Sequence, residues 1–298
     1  MDIVINNRGS YLHQKNEMFL IEHDEKKSPP ISPQKVKSII ISTSIALSSD
    51  VIMLAVKNNI DIVMLNEFGD PYGRFWHSKF GSTAYIRRRQ IEVMESSEGI
   101  ILAKHWIINK IEHSAQHLKE LGDKRPSKAE QINKTIDELQ INTEKLKKIT
   151  GSVDEKRFNI MAIEGGCAQK YFATISDLIP EPYKFNGRSS RPAKDEYNCM
   201  LNYAFGVLYG KVEKACIIAG LDPYVGILHT DNYNKKSLVF DLIENYRHLA
   251  WKVVFKLFST KRIKQSYFDK IKGGLTLNTE GKKVLLSDLE EELNKKIK

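Results

Sequence analysis

The hydrophobic period of the chain changes once. Up to residue 75, apolar residues fall in short alternating or unbroken runs: Ile3–Ile5, Tyr11–Gln14, Met18–Ile21, Ser38–Thr43 through Ile39, Ile40 and Ile41, and Ile60–Leu65. Such runs, bounded by turn residues, predict strands. Asn6-Asn7-Arg8-Gly9 and Lys15-Asn16 predict hairpins among the first three, Ser28-Pro29-Pro30-Ile31-Ser32-Pro33 a loop, and Gly69-Asp70-Pro71-Tyr72-Gly73 a closing turn. One short helix interrupts, Asp50–Lys57, with Ser48 or Ser49 as its cap and Asn58-Asn59 as its stop.

From Ala84 onward the period is 3.6. Glu98–Leu121 is amphipathic through Ile100, Ile101, Ala103, Trp106, Ile107, Lys110, Ile111 and Leu118; Ser127–Ile149 is a more polar helix with a thin seam of Ile132, Ile136, Leu139 and Leu146. Asp154–Leu178 follows, with a stripe of Phe158, Met161, Cys167, Ala168, Tyr171, Phe172 and Ile175. Asp195 caps a helix with core positions Tyr197, Met200, Leu201, Ala204, Phe205 and Leu208, and Leu238–Phe258 reads as one further helix. The segment from Thr260, with Lys261-Arg262-Ile263-Lys264, is basic and expected to be partly mobile. The change of period sets an N-terminal β domain at 1–75, a linker at 76–84 and a helical domain at 85–298, an α+β chain.

Polar residues inside these apolar stripes carry the candidate chemistry. Asp241, Glu244, Arg247 and His248 fall at i, i+3, i+6 and i+7, one polar line along a largely buried helix. Buried carboxylates are costly unless paired, so the line needs a partner cation. Glu164 lies within its helix stripe, three residues from Met161 and seven from Tyr171, and points inward. Gly165-Gly166 beside it costs a helix about 0.5–1 kcal/mol per residue, expected only where a backbone or ligand comes close. His229 closes an apolar run. Each has a plainer reading: a hydrogen-bonded structural His, or a solvated helix face on which Arg247 pairs with the acids.

Composition narrows the choice. The 298 residues include 41% hydrophobic ones, enough for a sizeable core, and 46 Lys and Arg against 37 Asp and Glu leave a net charge of +9 with a pI near 9.2. That balance favours a polyanionic partner, nucleic acid before membrane. No apolar run approaches the ~18 residues of a membrane span and no leader precedes the first strand, so the expectation is a cytoplasmic protein without membrane contact. Cys167, Cys199 and Cys216 lack zinc-site spacing and read as reduced, buried residues. Arg87-Arg88-Arg89 is either a solvated face or a phosphate-contact cluster. Glu164, His229 and Glu244, with Asp241 alongside, form a carboxylate-rich set with one imidazole and no thiolate, which suits Mg²⁺ or Mn²⁺. In a basic protein this points to phosphodiester chemistry.

The motifs also resemble a known family. Ile163-Glu164-Gly165 with Tyr171-Phe172, Gly187-Arg188-Ser189-Ser190-Arg191-Pro192 with Asp195 and Asn198, Leu208-Tyr209-Gly210, Ala219-Gly220-Leu221-Asp222-Pro223-Tyr224 with Gly226 and His229, and Asp241-Leu242-Ile243-Glu244 with Arg247 are similar, in order and spacing, to the Cas-one family of CRISPR-associated endonuclease/integrases. The resemblance implies a β-sandwich-like N-terminal domain, an all-α catalytic domain, a homodimer, and a partnership with the small Cas-two protein. It implies insertion of spacer DNA by attack of a 3′-hydroxyl on a phosphodiester at the repeat boundary, nicking of branched DNA, double-stranded and branched DNA as partners, and Glu164, His229 and Glu244 as catalytic metal ligands, with Asp241 as their acidic neighbour. Gln169 stands where the family often has Arg, and Asn245-Tyr246-Arg247 where it often has Pro-Phe-Arg. Lys184, Arg188 and Arg191, interleaved with Tyr183 and Phe185, suit a strand with unpaired bases, and Arg247 joins them as a nucleic-acid contact; the plainer reading of that loop is a connector whose aromatics seal the core. The competing function is a non-catalytic nucleic-acid-binding assembly module whose acidic cluster is structural.

Overall fold

The structure is a computed structural model that describes residues 1–69, 71–76, 84–190, 192–229 and 235–295. Ten strands and nine α-helices occur among them: β1 (Asp2–Ile5), β2 (Tyr11–Lys15), β3 (Met18–His23), β4 (Lys26–Lys27), β5 (Ser38–Ile41), β6 (Ala46–Leu47), α1 (Ser49–Lys57), β7 (Asp61–Leu65), β8 (Pro71–Phe75), α2 (Ala84–Glu95), α3 (Ser97–Gly122), α4 (Ala129–Lys147), α5 (Val153–Leu178), α6 (Glu196–Ile218), α7 (Ser237–Ile243), α8 (Arg247–Ser259), β9 (Phe268–Ile271), β10 (Gly274–Leu277) and α9 (Thr279–Leu293). The chain is α+β, with its strand-rich region first and the larger helical part after it.

Eight strands form two four-stranded sheets, ordered β1-β5-β7-β8 and β4-β3-β2-β6. The expected hairpin between β2 and β3 forms, with Asn16 and Glu17 both at positive φ, as a tight turn between twisted strands requires. No hairpin joins β1 to β2: β1 pairs in parallel with β5, and Asn6–Gly9 carries the chain from one sheet to the other. Pro71–Tyr72–Gly73 belongs to an edge strand, β8, antiparallel to β7, because Pro is tolerated at the first residue of an edge strand. The 77–83 part of the expected linker lies outside the described residues.

Alternation along β5 and β7 serves two cores. Ile39, Ile41 and Ile62 pack with Ile3, Ile5, Leu12, Phe19 and Val51 in a smaller cluster, while Ile40, Val63 and Leu65 face a larger one built from the helices. A strand buried on both faces reads as an unbroken apolar run, which is what Ile39-Ile40-Ile41 is. α3, α4 and α5 pack on one another, and α6 lies against α7, α8, α9 and strands β7, β8 and β10.

Three expectations about the helical part are corrected. The buried face of α5 runs through Val153, Ile160, Cys167, Tyr171 and Ile175; Phe158 is 81% exposed and Met161 38%. The expected helix Leu238–Phe258 is broken into α7 and α8, since the Asn245 side chain donates back to Leu242 O and ends the first of them. α7 starts at Ser237, with Lys236 at its N-cap and no side-chain cap bond. The C-terminal segment, expected to be partly mobile, folds as the β9–β10 hairpin and α9, with Leu277, Leu285 and Leu289 buried and Arg262 paired to both oxygens of Asp288 at 2.6 and 2.8 Å. Polar alternation in a short hairpin hid it from the pattern of the sequence.

Candidate active site

Glu164 and Glu244 come from different helices to one point. Glu164 projects from the middle of α5, between the buried Ile160 and Cys167, and its side chain is 24% exposed. Glu244 caps the C-terminus of α7 and is 4% exposed. Between them sits Lys110 of α3, whose Nζ contacts Glu164 Oε1 and lies 2.5 Å from Glu244 Oε2. Arg247, opening α8, donates from Nε to Glu244 Oε1 at 2.8 Å and stacks over the Phe205 ring at 4.7 Å. Burial alone would raise the Glu244 pKa, but Arg247 and Lys110 outweigh it and bring the carboxyl to about 2. It is therefore an anion throughout the physiological range.

His229 is held separately. The buried Asp241 carboxylate accepts backbone N–H groups from Ile227, Leu228 and His229 at 2.6, 3.1 and 3.0 Å, and its Oδ1 lies 2.7 Å from His229 Nδ1. Arg157 of α5 donates to Leu228 O and Ile227 O, and Gln90 of α2 ties the preceding turn by bonds to Asp222 O, Val225 O and Asp222 N. Gly226 is required here: a Cβ would meet Ser237 Cβ at 2.5 Å and His229 O at 2.6 Å. Gly165 and Gly166 behave otherwise, since a Cβ at either meets nothing within 4 Å, so among the described residues no backbone comes close to them.

The structure thus brings together Glu164 and Glu244, and pairs His229 with Asp241. It assembles no group of three His, Cys, Asp or Glu side chains at metal-binding distance among the described residues. The donor chemistry nonetheless fits a divalent ion. Two carboxylates already converge on one cation, and an Asp-held Nδ1 leaves Nε2 of His229 as the ring atom for a ligand, as in metal-binding His residues whose other ring nitrogen is held by a carboxylate. Asp241 is occupied by four N–H contacts, so its part is to hold the loop.

Beside this cluster opens a cavity of about 680 Å³ lined by Arg188, Arg247, Lys235, Lys236, Phe205 and Phe240, among others. Arg188 is an exposed residue whose guanidinium packs over Phe172 and Phe205 and donates to Asn198 and Asn202. Lys184 lies elsewhere, paired with Glu181 at 2.6 Å, and Arg191 falls outside the described residues. Lys110, Arg157 and Gln90 escaped the sequence reading as functional residues. For Lys110 a signal existed: an ammonium on the apolar face of α3 needs a buried anion.

Known proteins resemble the chain over nearly its whole length. The family model for CRISPR associated protein Cas1 matches residues 3–291. The chain is 34% identical to CRISPR-associated endonuclease Cas1 1 of Archaeoglobus fulgidus, covering 99% of this chain and 89% of that protein. Among solved structures, a casposase bound to integration product superposes with a TM-score of 0.83 at 23% identity, over 100% of this chain and 84% of that one. A Cas6-RT-Cas1–Cas2 complex gives 0.82 at 21% identity, over 100% and 33%. The two structures share the fold, and the sequence match over nearly the whole length decides the rest: the chain belongs to the Cas1 family of CRISPR-associated proteins.

Proposed function

We propose that this protein is a metal-dependent DNA endonuclease and integrase of CRISPR adaptation, joining a 3′-hydroxyl of incoming DNA to a phosphodiester at the repeat boundary. The observation that carries the reading is the convergence of Glu164 and Glu244 on one cation position beside Arg247 and a cation-lined cavity. Glu164, Glu244 and His229 through Nε2 would hold Mg²⁺ or Mn²⁺, which when bound polarises a phosphoryl oxygen and offsets charge during in-line displacement. Arg247 orients Glu244 and Arg188 offers its guanidinium to a backbone phosphate, while Phe205 and Phe240 give unpaired bases a stacking surface. Asp241 and Arg157 fix the loop that presents His229.

Residues 1–75 and 85–298 are taken as its two domains, joined at 76–84. The casposase carries its integration product and the Cas6-RT-Cas1 chain its Cas2 partner. By that likeness this chain works as a homodimer with a Cas2-type protein on double-stranded and branched DNA. A cytoplasmic setting suits its three free, buried cysteines; no helix among the described residues is long and apolar enough to cross a membrane.

Glu164→Ala, His229→Ala and Glu244→Ala, assayed with Mn²⁺ on branched and 3′-hydroxyl-ended DNA, are expected to lose cleavage and joining while DNA affinity stays near that of the unmodified protein. Because Glu244 is buried between two cations, Glu164→Ala is the cleaner variant. Absence of any divalent-dependent cleavage or joining by the unmodified protein would leave the non-catalytic assembly module as the reading, and undiminished cleavage by Glu164→Ala would remove Glu164 from the site.

A further inference from the structure

Lys110 is a buried cation to which the reaction as described gives no part. Its side chain is 10% exposed, on the face of α3 that also carries the buried Ile107 and Ile111. A buried ammonium is stable only when paired, and its partners are the two carboxylates proposed as metal ligands. With Arg247 on the other oxygen of Glu244, two negative and two positive groups face each other, so the cluster is neutral by itself.

A divalent ion ligated by both carboxylates would take the place where Nζ now lies. Two cations cannot share it, because at contact distance they repel each other strongly even at the effective dielectric of a protein surface. Access is from the Glu164 side, where the carboxylate is partly exposed and Gly165 and Gly166 leave open space; Glu244 closes the far end.

We infer that Lys110 is the resident counter-cation of Glu164 and Glu244 in the metal-free protein, and that a divalent ion enters only by displacing its ammonium. The inference rests on the reading of these carboxylates as cation ligands. It makes Lys110 a positioning residue with a regulatory consequence. An ion added to a neutral cluster leaves excess positive charge, which a DNA phosphate offsets, so metal and DNA bind cooperatively and the ion is held weakly until DNA arrives.

The test is calorimetric titration of Mn²⁺ into the metal-free full-length protein, with and without a branched DNA duplex, for the unmodified chain, Lys110→Met, Lys110→Gln and Lys110→Arg. The neutral variants are expected to bind Mn²⁺ without DNA on the order of ten-fold more tightly, with less gain on adding DNA. They should also melt at lower temperature when metal-free and gain more from Mn²⁺; Lys110→Arg keeps the original affinity. Should the neutral variants fail to fold without metal, recovery of their circular dichroism by Mn²⁺ supports the inference and failure to recover overturns it. Neutral variants that fold yet bind Mn²⁺ no more tightly also overturn it. If the unmodified protein takes up no Mn²⁺ even with DNA, the cation reading of Glu164 and Glu244 falls too, whereas normal uptake with unaltered variants removes only the role of Lys110.

Discussion

His229 Nδ1 lies 2.7 Å from Asp241 Oδ1, on a carboxylate that also gathers three consecutive backbone N–H groups of the same loop. One side chain therefore sets both the tautomer of the imidazole and the shape of the segment that carries it. Asp241→Asn keeps the volume but replaces an acceptor oxygen by a donor, and is expected to lower cleavage by roughly 10- to 100-fold with DNA affinity retained. Asp241→Ala also strands the buried N–H groups and should cost about 3 kcal/mol in urea denaturation.

Gly226 tests the same loop from its backbone. A methyl group there would overlap Ser237 Cβ and His229 O, so Gly226→Ala is expected to destabilise the protein by about 1–3 kcal/mol and to reduce activity beyond the loss explained by unfolding. A melting curve and a cleavage assay on the folded fraction separate the two effects.

The α3–α8 contact gives a pH dependence. Burial, then the nearby Lys252, lowers the His117 pKa from 6.5 to about 4, and burial with His113 and Lys252 does the same for His248. Below pH 6.5 the unfolded chain binds protons that the folded one refuses, so stability falls as pH drops towards 4 and the loss is complete below it. For the fully buried His117 this amounts to about 3 kcal/mol. His117→Asn keeps a polar neighbour for the Tyr171 hydroxyl and removes the titration; its urea midpoint should change less between pH 7 and pH 4.5 than that of the unmodified protein.

Two basic residues of the same loop should differ in DNA binding. Arg188 faces the cavity and Lys184 pairs with Glu181 away from it. Arg188→Ala is expected to reduce the slope of log affinity against log salt by about one, and Lys184→Ala to leave it unchanged. Fluorescence anisotropy with labelled DNA between low and moderate salt reads both.

Much of this was legible in the sequence because buried elements announce themselves. Ile39-Ile40-Ile41, the Ser48 cap and the Asp195 cap all formed as their residues required. Glu164 was found as a polar residue on an apolar helix face, although its flanking partners turned out to be Ile160 and Cys167 in place of Met161. What could not be read were relations between distant segments. A periodic pattern says that Lys110 faces inward, but only the packing of α3 against α5 and α7 puts Glu164 and Glu244 at its tip. The break after Glu244 was equally hidden, since it depends on one side-chain bond from Asn245 competing with the helix ladder.

The central strands β5 and β7 leave a last consequence. Ile39 and Ile62 belong to one apolar cluster, and their neighbours Ile40 and Val63 to the other. A wall common to both cannot be removed from one alone, so the two regions should lose their structure together, in a single cooperative transition, and a cavity cut at Ile40 should be felt on both sides of the sheet.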